Sequence, residues 1–252
     1  VTSTHGTFEW FLKDALQRGY KVGFLGGSDG YTGRPGGEYP GHQTRRYAKG
    51  GYTGLYAEKL TIESLLEALK SRRCYATTGV RILAKTAVDG HIMGSEYTTT
   101  SLPEASVFVN GTAPLESVAL YRGLEPIYSH PLGHSRSANR VRILWRGASR
   151  KTSYSGVIWD GALTVADGKI NSVENLRFDS PRSCIADKTD RGLRWHSVTC
   201  GYTSGMVLDV DGDTGTELEI VLNTTLISGP RYGGYGFLGS MRVSHSPAES
   251  IR

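Results

Sequence analysis

Helical periodicity is confined to the first 80 residues of this 252-residue chain, which limits the folds open to it. Phe8, Phe11, Leu12, Ala15 and Leu16 recur at helical spacing behind Thr7, a candidate N-cap, and Gly19 is a natural stop. A second helix is expected over Thr61–Arg73. Ile62, Leu65, Leu66 and Leu69 form its apolar face, Glu63 lies near its start, and Lys70, Arg72 and Arg73 lie at its end, as the helix dipole prefers. Tyr20–Leu25 reads as a buried strand and Cys74–Thr78 as another. From Arg81 onward the texture changes to short β-type runs with no amphipathic helix. Ser106–Val109, Ser117–Tyr121, Arg140–Trp145, Ser155–Trp159, Met206–Leu208 and Leu218–Leu222 are examples. Turn signals such as Asp89-Gly90, Asn110-Gly111 and Asp167-Gly168 separate them. That spacing predicts an all-β sandwich over 81–252, behind a mixed segment over 1–80, with the boundary between Gly79 and Ile82.

A hydrophobic share of 38% and a charged share of 21% suit a soluble globular chain. No apolar run is long enough to span a membrane. The net charge of +5 is spread over small clusters, Arg45-Arg46, Arg72-Arg73 and Arg150-Lys151. No basic run is interleaved with aromatics, which argues against nucleic acid as a partner. A slightly basic cleft suits an anionic small-molecule substrate such as a phosphoester. Cys74, Cys184 and Cys200 form no C-x-x-C pair, which argues against a thiolate zinc site. Cys184 and Cys200 share the β-rich region, so a disulfide between them and two free thiols are both open. With no signal segment and few cysteines, cytoplasmic and exported or periplasmic locations also stay open.

Two polar residues stand at the ends of consecutive strand-like runs with one helix between them. They are His5 in Thr4-His5-Gly6-Thr7 and Asp29 in Gly27-Ser28-Asp29-Gly30. In a β/α barrel the carboxyl ends of neighbouring strands face one mouth. The spacing therefore suits an imidazole and a carboxylate at one mouth, the way hydrolytic metal sites are made. Each residue also has a plainer reading: His5 as a hydrogen-bonded helix-entry residue, Asp29 as a turn residue before glycine. Gly26-Gly27-Ser28-Asp29-Gly30 matches G-x-S-x-G, but a nucleophile elbow needs a helix directly after the serine, and Tyr31–Gly37 is helix-breaking. Asp209–Gly215 resembles a calcium loop but has Thr214 and Ile220 where glycine and glutamate are required, so an acidic hairpin turn is expected. Arg231–Phe237 is read as a turn between edge strands. His130 and His134 are read as flanks of an exposed Pro-Leu-Gly turn.

Three blocks carry a resemblance: Ser3-Thr4-His5-Gly6-Thr7-Phe8-Glu9-Trp10, Gly26–Gly36, and Gly54-Leu55-Tyr56-Ala57-Glu58 through Arg72–Gly79. Together they resemble the C-terminal part of the PHP (polymerase and histidinol phosphatase) superfamily, in a branch labelled as a domain of unknown function. The resemblance covers about a third of the chain. It implies a distorted β/α barrel that uses several divalent metal ions (zinc, manganese or iron) to hydrolyse phosphoesters, followed by a β domain. A late motif of that family reads Asp-x-His, and both residues serve the metals. Asp29 matches the aspartate, Tyr31 stands at the histidine position, and His5 matches an upstream histidine ligand. The implied metal ligands are thus His5, Asp29 and Tyr31, with Glu9 in support, and the implied substrate contacts are Arg34 and His42. The family's early His-x-His motif and intermediate glutamate ligand are not in this sequence, and they are expected before Val1 in a longer protein.

The expected fold class is α+β, the C-terminal portion of a PHP-type barrel followed by a β-sandwich-like domain. The expected function is metal-dependent phosphoester hydrolysis, with part of the active site in this chain. The alternative is a non-catalytic structural or assembly protein. In either case a homo-oligomer or a partner chain would complete the barrel, because an incomplete barrel leaves a strand edge open.

Overall fold

The computed structural model describes residues 1–30, 33, 36, 48–132, 139–148, 156–213, 215–228 and 234–245. The chain divides into two compact units. The first holds Val1–Thr4, Phe8–Glu38 and Lys49–His134, and the second holds His5–Thr7, Tyr39–Ala48 and Ser135–Arg252.

The chain opens on two short strands, β1 (Thr2–Ser3) in the first unit and β2 (Gly6–Thr7) in the second. Helix α1 (Glu9–Gln17) follows, with Phe8 rather than Thr7 as its N-cap and no side-chain cap. Its end is the one expected. Gly19 takes φ +71°, its N–H donates to the Leu16 carbonyl, and the Tyr20 N–H donates to the Ala15 carbonyl. This is the glycine-terminated pattern that satisfies the last helical carbonyls. Next come β3 (Tyr52–Leu55), helix α2 (Ile62–Lys70) and β4 (Cys74–Thr77), with β3 and β4 antiparallel. The Ser64 N–H donates to Thr61 Oγ1 at 3.3 Å, a side-chain N-cap. The remaining regular structure among the described residues of the first unit is strand. β5 (Leu83–Val88) lies between β6 (His91–Ile92) and β7 (Ala105–Asn110), and β8 (Ser117–Arg122) forms a hairpin with β9 (Glu125–Pro131).

The second unit contains β10 (Arg140–Arg146), β11 (Gly156–Val165), β12 (Lys169–Leu176), β13 (Cys184–Lys188), β14 (Gly192–Thr199), β15 (Thr203–Asp211), β16 (Leu218–Ser228) and β17 (Gly234–His245). They form two open antiparallel sheets, in orders β10-β15-β12 and β13-β14-β11-β16-β17. Their inward side chains supply one core, with Trp145, Met206 and Leu208 from the smaller sheet and Leu163, Trp195 and Leu218 from the larger. The rings of Trp145 and Trp195 stack at 5.4 Å. Buried indoles need partners, and Trp145 Nε1 donates to Ser197 Oγ at 3.1 Å.

These observations correct the expected fold class. Among the described residues there are two helices, and the rest of the regular structure is strand in small open sheets. That is not a β/α barrel segment followed by a sandwich over 81–252. Tyr20–Leu25 forms no strand, and Tyr20, Val22 and Leu25 are exposed. The helices bury little: α1 has no buried residue and α2 buries only Ala68. The strands between Leu83 and Pro131 form two separate sheets of three and two strands, not one face of a sandwich. The expected acidic hairpin turn after Asp209 also differs. It joins β15 to β16, which belong to different sheets, and the Thr216 hydroxyl donates to the Asp167 carbonyl at 2.7 Å. No helix among the described residues is long and apolar enough to cross a membrane.

Candidate functional site

In the first unit the segment around β1 runs parallel to Gly26–Ser28, with α1 between them in sequence. Thr2 and Gly26 form a parallel bridge. The Gly27 N–H donates to the Thr2 carbonyl at 2.9 Å, and the Thr4 N–H and hydroxyl both donate to the Ser28 carbonyl, at 3.0 and 2.9 Å. On the other flank the Gly51 N–H donates to the Gly27 carbonyl at 2.8 Å, and Thr53 Oγ1 donates to the Gly26 carbonyl at 2.6 Å. The approach is close enough to require glycine. A Cβ on Gly51 would lie 2.5 Å from Thr2 Cγ2, and one on Gly26 would lie 2.6 Å from the Tyr52 carbonyl oxygen.

Two parallel segments joined through a helix leave at the same end. Asp29 is the first residue beyond that end. It is exposed and takes φ +48°, a left-handed conformation that aspartate tolerates better than most residues. Further along the chain, the Tyr52 hydroxyl donates to the Gly36 carbonyl at 2.8 Å.

The other expected site residues fare differently. His5 is buried and belongs to the second unit. Around it, the Thr7 N–H donates to the Cys200 carbonyl at 2.8 Å, and Gly6 packs against Cys200, where a Cβ would lie 2.5 Å from Sγ. Burial pushes the Cys200 thiol up to about 12. Glu9 opens α1 and is exposed. Tyr31, Arg34, His42 and His134 lie outside the described residues, while His130 is an exposed residue of β9. Among the described residues no three His, Cys, Asp or Glu side chains converge on a point where a metal could sit. The described residues alone therefore do not fit a complete metal centre.

The open question on the cysteines is answered by two free thiols: Cys184 is exposed and Cys200 buried. A polar pair that the sequence reading missed lies on β11 and β14, where His196 Nδ1 donates to Asp160 Oδ1 at 2.6 Å. Its local signal is an alternation in which each polar residue follows a tryptophan, Trp159-Asp160 and Trp195-His196. The pairing itself depends on strand register. The first unit also holds an apolar groove of about 400 Å³, lined by Tyr56, Ile92, Met93, Val107 and Phe108 with Lys85 at its wall.

A family described as "Protein of unknown function (DUF3604)" matches residues 37–108. An uncharacterized protein of Chlamydia trachomatis serovar D is 33% identical over 134 residues, which cover 50% of this chain and 21% of that protein. One of Chlamydia pneumoniae is 41% identical over 85 residues, 31% of this chain and 14% of that protein. A protein of Chlamydia muridarum is 31% identical over 134 residues, again 50% and 21% of the two chains. The chain thus spans about a fifth or less of the length of these curated relatives. No solved structure matches it.

Proposed function

We propose that this chain contributes to a metal-dependent phosphoester hydrolase, with Asp29 as a metal ligand. The observation that carries the reading is the parallel pairing of Thr2–Thr4 with Gly26–Ser28 through α1, which leaves the exposed Asp29 beyond the carboxyl end. A carboxylate oxygen is a ligand that zinc, manganese and iron all accept. The bound ion would supply a water of lowered pKa as nucleophile. Tyr31 is the second expected ligand and Arg34 and His42 the expected phosphate contacts; Arg34 suits that role because its planar fork matches phosphate oxygens. The test is turnover of p-nitrophenyl phosphate and its diester with each metal added in turn. The reading expects metal-dependent release of nitrophenolate that falls at least about a hundredfold in Asp29→Asn. Activity that needs no metal, or that survives the substitution, contradicts it.

A second reading, an assembly role without catalysis, is favoured by the uncovered helices. Leu60 is 92% exposed, Ile62 72% and Phe11 63%. Apolar surface of that extent usually meets a partner. This reading expects a mass that rises with concentration in sedimentation and stays monomeric when Ile62 and Leu66 are both changed to lysine.

A further inference from the structure

On the outer face of the five-stranded sheet three chemically active side chains fall in one cross-strand row. Cys184 of β13 stands opposite His196 of β14, and His196 stands opposite Asp160 of β11. Alternation confirms the face, because the flanking residues Ile185 and Trp195 belong to the core side. Directly opposed residues of an antiparallel pair have Cβ atoms about 4.5–5.5 Å apart, so each member of the row is within side-chain reach of the next. The 2.6 Å hydrogen bond from His196 Nδ1 to Asp160 fixes the ring's orientation and leaves Nε2 as its acceptor nitrogen. A base held by a third group beside a nucleophile is the arrangement that activates thiols.

We propose that Cys184 is a thiol nucleophile, with His196 as its base and Asp160 as the residue that positions His196, and that the site takes low-molecular-weight disulfides. The choice of electrophile follows from the surroundings. Acyl transfer needs donors for a developing oxyanion, and the amides of β14 and β11 are committed to ladders on both sides. Exchange at sulfur needs no such donors. The thiol proton passes to His196 Nε2, and Sγ attacks one sulfur of the disulfide. The old S–S bond breaks as the new one forms, and the proton on His196 passes to a basic departing thiolate or, where the leaving thiolate is weakly basic, to solvent. Cys74 and Cys200 are buried, so neither resolves the product, and the mixed disulfide on Cys184 persists.

The probe is dithiobis-nitrobenzoate, whose released thiolate is coloured, applied to the folded chain at fixed pH. One thiol per chain reacts quickly, and Cys184→Ser abolishes that phase. His196→Gln slows it at least about tenfold. Asp160→Asn slows it in the parent but adds nothing in the His196→Gln background, the coupling expected of a residue that acts through the histidine. Cys200 is the folding control, since it stays unreactive while its surroundings are intact. If His196→Gln releases Cys200, the comparison is made with Asp160→Asn alone. Reaction at the parent's rate in the folded variant overturns the proposal, because exposure then accounts for the thiol.

Discussion

Cys200 shows how one buried group ties stability to pH. Its thiol is pushed up to about 12 by burial, against an ordinary value near 9. A raised folded value means that the neutral thiol's contribution is complete below the unfolded value and is lost as pH rises through the folded one. Between about pH 9 and 12 the unfolded chain releases a proton that the folded chain keeps. Stability then falls by up to about 1.4 kcal/mol per pH unit from this group. Tyr202 is raised in the same direction, first by burial and then by the nearby Asp179 carboxylate, so it adds to the loss at higher pH. Urea midpoints at pH 8 and pH 10 check this: Cys200→Ala loses less stability over that interval than the parent. Gly161 is a second residue-scale test. A Cβ there would lie 2.0 Å from Trp195 Cζ2, inside the ring that stacks on Trp145. Gly161→Ala costs about 2–3 kcal/mol in the same assay, since the ring has no room to retreat.

At the scale of elements, local signals and partner choice separate. Thr61, Glu63 and the Ile62–Leu69 spacing mark α2, and the helix forms with Thr61 as its cap. Gly19 ends α1 as its sequence suggests. The runs at Ser106–Val109, Ser117–Tyr121, Arg140–Trp145 and Leu218–Leu222 all fall within strands. What does not follow from such runs is which strand pairs with which. Cys184, His196 and Asp160 are separated in sequence and become neighbours through the β13–β14–β11 registers, which no local pattern encodes. Tyr20–Leu25 fails for a related reason. An apolar run becomes a buried strand only if other layers cover it, and Tyr20, Val22 and Leu25 stay exposed. Of the candidate site, the turn at Ser28-Asp29-Gly30 was legible, and Asp29 takes a left-handed φ there. The burial of His5 was not, because burial is set by long-range packing. The exposed face of α2 yields its own test: Ile62→Lys costs within about 0.5 kcal/mol in thermal unfolding, whereas Leu163→Ala in the core costs about 3 kcal/mol.

At the scale of the whole molecule, two kinds of packing coexist. The second unit is organised around one core fed by both of its sheets. The first carries short strands, two helices with little buried and the exposed Asp29. The proposed hydrolase function rests on Asp29, so metal binding is the property to measure. Elemental mass spectrometry of protein purified without chelator gives metal content per chain, read beside Asp29→Ala and, as a control for the separate thiol site, Cys184→Ser. Near-stoichiometric zinc, manganese or iron is expected in the parent, lost in Asp29→Ala and retained in Cys184→Ser. No metal in the parent even after metal is supplied, or metal retained in Asp29→Ala, would contradict it.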